Sequence, residues 1–129
     1  MANPNIVSVA TILGGNAGWN LGTTLTTELL SVTAEYVLKI NRIICTNVDP
    51  STAYDLNLLV SGMGSGTTGV TTTGADSDVY LAKTISIPAD SSLVVSDTPI
   101  YLMEGDILKG GGSTVNKLDL FISYETLID

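Results

Sequence analysis

The stretch YLAKTISIPADSSLVVSDTPIYLMEGDILK, Tyr80 to Lys109, decides the fold class. Its Val, Ile and Leu residues stand in short runs that suit a pleated, half-buried surface. Pro88, Asp90, Asp97, Pro99 and Gly105 cut those runs with turn chemistry that would break a helix. The stretch therefore reads as closely turned antiparallel strands, and a local meander is the expected pairing.

The flanking segments extend the same pattern. In Thr52 to Met63, Tyr54, Leu56, Leu58 and Val60 alternate with Asp55 and Asn57, the signature of a strand with one buried face. In Asn116 to Leu127, Leu118, Leu120, Ile122 and Tyr124 alternate with Asp119, Phe121, Ser123 and Glu125. Glu35 to Val48 is apolar on both sides, with Leu38, Ile40 and Ile44 on one and Val37, Ile43 and Cys45 on the other, as in an interior strand or a subunit contact. Gly22 to Ser31 alternates Thr24, Thr26 and Glu28 with Leu25, Thr27 and Leu29. With turn signals between about eight such runs, the expectation is an all-β chain: one antiparallel β-sandwich, for which jelly-roll connectivity is one arrangement. Its core is expected from Leu38, Ile40, Ile44, Leu56, Leu58, Val60, Ile85, Ile87, Leu93, Val95, Leu118, Leu120 and Ile122.

Two glycine-rich stretches interrupt the strands. Residues 61–78 carry glycine at 62, 64, 66, 69 and 74 and read as an exposed loop. Gly110-Gly111-Gly112-Ser113 reads as a second, flexible tip. Residues 1–20 combine Asn, Ala and Gly around the apolar run Ile6 to Leu13. They form either an arm that gains order on a neighbour or a first strand paired inside the domain, with 21–129 as the sandwich. In the arm reading, Ile6, Val7, Val9, Ile12, Leu13 and Trp19 are the interface residues. Burying three such side chains would contribute roughly 4 to 8 kcal/mol before ordering costs.

The chain has 129 residues, enough for one domain core. Only 14% are charged, against about 25% in a typical soluble domain, so Ser, Thr, Asn and Gly must make much of the surface, as suits packing against other subunits. The net charge is −8, with Arg42 the only arginine, and no basic cluster exists to hold a phosphate backbone. Nucleic acid is therefore not an expected partner. The Ile6 to Leu13 patch falls far short of the roughly 20 apolar residues of a membrane helix, and no basic residue precedes Lys39, so neither a membrane nor a secretion route is expected. Cys45 is the only cysteine and lies in an apolar run, where it reads as a small buried hydrophobe, with an intersubunit bridge as the alternative.

Histidine is absent, which removes the commonest general base and zinc ligand. The close carboxylate pairs, Asp76 with Asp78 and Glu104 with Asp106, read as solvated loop residues rather than a two-carboxylate catalytic site. No enzyme activity and no cofactor are expected. Asp76 and Asp78 are the only calcium candidates, and they depart from an EF-hand at every later ligand position.

Two blocks, YVLKINRIICTNVD from Tyr36 to Asp49 and the ordered segments VYLAKTISIPADSSLVV, PIYLMEGDILK and LDLFISYE between Val79 and Glu125, carry a resemblance. The chain resembles a family of small virion structural proteins of tailed bacteriophages, common among phages of cyanobacteria and other aquatic bacteria. Somewhat under half of the chain is covered, and 1–30 and 61–78 lie outside. The resemblance implies a virion protein made in the host cytoplasm. Within that class the expected role is a capsid decoration (cement) subunit on the outer surface of the capsid, bound to the major capsid protein. Self-association is expected as a trimer first, by analogy with decoration proteins, and a dimer second. A tail, neck or fibre component and a host-surface or glycan-binding sandwich are the alternatives.

Overall fold

A computed structural model describes residues 11–25, 28–63, 71–74 and 76–128. Nine strands form among the described residues: β1 (Thr11–Asn20), β2 (Glu28–Ser31), β3 (Tyr36–Asn47), β4 (Tyr54–Ser61), β5 (Val79–Ile87), β6 (Ser92–Ser96), β7 (Ile100–Leu102), β8 (Ile107–Gly112) and β9 (Leu118–Ile128). No helix occurs among the described residues.

One sheet has the order β1-β9-β3-β6, with β7 also paired to β3; the other has the order β2-β8-β4-β5. All pairings are antiparallel. Early strands pair with late ones in nested fashion: β1 with β9, β2 with β8, β3 with β6 and β7, β4 with β5. That is a long hairpin whose legs roll over to add the β3–β9 and β4–β8 contacts, and this connectivity is a jelly roll. The chain is an all-β, antiparallel β-sandwich.

The expected meander over Tyr80 to Lys109 is corrected. The strands are where the turn residues put them, but β5 and β8 belong to one sheet and β6 and β7 to the other. Pro88, Asp90 and Gly105 set chain reversals; a reversal that crosses to the facing sheet carries the same residues as one that closes a hairpin. Of the sequence-adjacent strands, only β4 and β5 pair with each other.

Leu38, Ile40, Ile43, Cys45, Leu56, Leu58, Ile87, Leu118, Leu120 and Ile122 are among the residues that fill the space between the sheets. Leu93 and Val95 pack against this core partly buried. Ile44 is not in it. The β3–β9 register shifts between Ile40 and Arg42, a bulge that places Asn41 out of step. The inward set therefore changes from Leu38 and Ile40 to Ile43, Cys45 and Asn47. Ile85 pairs with Leu56 on the edge strand β5 and stays 40% exposed, with no strand beyond β5 among the described residues.

The glycine run is also corrected. Gly110, Gly111 and Gly112 are buried in β8, paired to Leu58, Asn57 and Leu56. A Cβ on Gly110 would come within 2.7 Å of Leu58 Cδ2 and 2.9 Å of Leu29 Cδ1, and one on Gly112 within 2.8 Å of Leu118 Cδ1. Leucines from three neighbouring elements occupy the volume that β8 side chains would need. Within the 61–78 loop, 71–74 and 76–78 are exposed, and 64–70 and 75 lie outside the described residues.

Candidate functional site

The turn residues gather at the two ends of the sandwich. At one end β3 runs into Asn47, fully buried, whose Nδ2 donates to Thr52 O (2.8 Å) and Ile87 O (2.9 Å). Its Oδ1 accepts the Asp49 N–H at 2.9 Å. Asp49 Oδ1 accepts the N–H groups of Ser51 (2.8 Å) and Thr52 (3.0 Å) and the Ser51 hydroxyl (3.1 Å). Tyr54 OH at 3.4 Å and the Lys117 Nζ at 3.4 Å face Asp49 Oδ2. The N–H of Asp90 donates to Asp49 O, and that of Val48 to Lys117 O. Three loops are thereby tied to one Asn-Val-Asp corner. The Ser51 N–H, ahead of the other donors, holds the Asp49 carboxyl down at about 2 despite its burial.

At the other end, the Glu104-Gly105-Asp106 turn folds back on the β2–β3 turn: Gly105 N donates to Val32 O, and Val32 N to Asp106 O. Glu104 and Asp106 are both buried, which corrects their reading as solvated loop carboxylates. Backbone pairing with Val32 draws the turn inward and takes both side chains with it. Glu104 Oε2 accepts the N–H of Glu35 at 2.9 Å, while Oε1 is buried without a hydrogen-bond partner. Asp106 Oδ2 accepts the Met103 N–H at 2.9 Å. Burial pushes the Asp106 carboxyl above its usual range, and that single N–H only partly opposes it.

Between the sheets a cleft of about 270 Å³ opens where β2 contributes four residues against the ten to twelve of β1, β9 and β3. Leu30, Val32, Leu38 and Tyr124 give it an apolar floor, and Tyr36 and Thr126 add hydroxyls. Periodicity carries no sign of this cleft, since it arises from unequal strand lengths in two sheets. On the outer face of the first sheet, Phe121, Ile44 and Val94 align across β9, β3 and β6, with Phe121 and Val94 exposed.

Of the expected interface residues, Ile6, Val7 and Val9 lie outside the described residues. Ile12 and Leu13 are 61% and 52% exposed near the start of β1, and Trp19 is half-buried against the core near its end. Residues 11–20 thus form a strand paired along its length with β9. Asp76 and Asp78 are exposed, and among the described residues no three carboxylate or cysteine ligands converge on one point. Cys45 is fully buried, and burial, with a smaller contribution from the Asp119 charge, pushes its thiol up to about 12. It is a packing residue without thiolate chemistry at neutral pH.

What the described surface offers is geometry for contacts: a bare edge strand, an apolar stripe and a cleft. No protein-family model, curated protein or solved structure matches the chain.

Proposed function

We propose that the protein is a structural subunit of a bacteriophage virion, acting as a capsid decoration subunit that bridges neighbouring capsomers. The observation that carries this reading is the jelly-roll strand order, an architecture found in viral capsid domains. The blocks that resemble the phage family fall on its strands and corners: Asn47-Val48-Asp49 and Pro88-Ala89-Asp90 at one end, Glu104-Gly105-Asp106 at the other. Fold and resemblance support this role, and the chemistry asked of the protein is binding alone. A cement subunit works because its binding free energy for the assembled shell opposes the outward pressure of packaged DNA. Its partners in this reading are the major capsid protein and other copies of itself, and its place is the outer surface of the capsid.

Quantitative mass spectrometry of purified virions that carry this gene is the test. Hundreds of copies per particle are expected. A few tens or fewer would move the protein to the tail, neck or fibre, and absence from the particle would end the reading. The glycan-binding alternative draws on the cleft, whose Tyr36, Tyr124 and Thr126 combine aromatic and hydroxyl groups. Glycan-array binding abolished by Tyr36→Ala would replace the structural assignment with that one.

A further inference from the structure

The sandwich has four edges, and three carry devices that discourage another strand from pairing. β2 has four residues and a register shift. The β6 and β7 edge is split into five and three residues by Asp97-Thr98-Pro99. β5 has two register shifts against β4, a positive φ at Thr84 (53°), and Lys83. Short strands, bulges, proline and lysine are the usual means of protecting an edge. β1 has none of them. Its ten residues, TILGGNAGWN, contain no charge and no proline, and its register with β9 runs unbroken from Thr11↔Ile128 to Asn20↔Asp119. Among the described residues its other side has no partner strand.

From this contrast we infer that β1 is a strand-pairing edge, and that its occupant is the β1 of a second copy, antiparallel across a two-fold axis normal to the sheet. Net charge of −8 on each copy opposes self-association, and β1, a ten-residue edge without a charge, adds nothing to that repulsion at the contact. The edge is also self-complementary. A two-fold normal to the sheet keeps the inner faces together, so residue numbers in each pair must sum to an even value. With Asn16 on the axis, Gly14 faces Gly18 of the partner subunit and Gly15 faces Ala17 of the partner subunit. Leu13, half exposed on the face it shares with Thr126 and Leu38, then meets Trp19 of the partner subunit, an aliphatic–aromatic cross-strand pair. The product is a dimer with one continuous sheet, the second of the two assemblies expected from the sequence. This inference does not depend on the assignment to a virion.

Sedimentation of the full chain tests it. A species of twice the 13.4 kDa chain mass is expected at about 200 µM protein, with a blue shift of Trp19 emission on association. The double variant Gly14→Lys/Asn16→Lys places like charges across the axis. Gly14 has open space where a side chain would go, and Asn16 is exposed, so the fold should tolerate both. The dissociation constant should rise by about tenfold or more. Val94→Lys, on the outer face, should leave association unchanged. Amide exchange on the wild-type chain gives an independent readout: β1 amides should gain protection as protein concentration rises. A wild-type monomer at that concentration, a dimer indifferent to the two lysines, or β1 exchange independent of concentration would each overturn the inference.

Discussion

Asp49 at one end of the sandwich and Asp106 at the other are equally inaccessible, each 8% exposed, yet their carboxyls shift in opposite directions. Burial disfavours the charged form at both sites. The difference lies in the donors. Asp49 faces two backbone N–H groups, a serine and a tyrosine hydroxyl and an ammonium; Asp106 has one N–H, and its neighbour Glu104 keeps one oxygen with none. A carboxylate at a loop corner is thus a clamp when the corner turns its amides inward, and a burden when it does not.

The largest effect is expected from removing the group that builds the well-paired corner. Asn47→Ala deletes three hydrogen bonds of a fully buried side chain and leaves Thr52 O and Ile87 O short of a donor; a loss of about 3 kcal/mol is expected in urea denaturation, against less than about 1 kcal/mol for Glu104→Gln. If Glu104→Gln proves the costlier of the two, the contrast between the ends is wrong.

Acid should separate the ends next, because their linkage has opposite signs. Asp49 binds its proton less readily folded than unfolded, so its contribution is present above about pH 4 and is lost as pH falls toward about 2. Asp106 binds its proton more readily folded, so its burden is full above its raised value. That burden lifts as pH falls through that value toward the ordinary carboxylate range. Thermal melts from pH 2 to 6 should therefore show Asp49→Asn flattening the loss at the acid end. Asp106→Asn should instead raise stability near neutrality, and that advantage should vanish on acidification.

Lys117→Met is the smallest test. Its ammonium lies 3.4 Å from Asp49 on a side chain that is 42% exposed, so the melting temperature should barely move, and what change there is should fade in high salt. A large loss would mean that the ion pair, rather than the backbone amides, holds the corner.

Residue types leave most of this asymmetry open. Asn47-Val48-Asp49 and Glu104-Gly105-Asp106 both present as acidic turns; the amides on the Asp49 carboxylate are local, from Ser51 and Thr52, but the packing that buries each corner comes from loops distant in sequence, Asp90 and Lys117 around Asp49 and Val32 and Glu35 around Glu104 and Asp106. Ile12 and Leu13 stood out as apolar area that an arm would leave in water, but their place on an edge required knowing that β1 lies outermost in its sheet among the described residues.

By itself the sequence determined where most strands form and end, the glycine-containing β1 and β8 excepted, because alternation and turn chemistry act over two to five residues. It also determined the inward sets Leu56, Leu58 and Val60 and Leu118, Leu120 and Ile122, whose strands keep one face inward over those residues. Tertiary structure alone decided the rest: the bulge that moves Ile43 inward and Ile44 out, the crossings that replace a meander with a jelly roll, and the leucines that make a glycine run into a buried strand. Each of these depends on a partner more than a few residues away. A strand's propensity is a local property; its neighbour and its register are not.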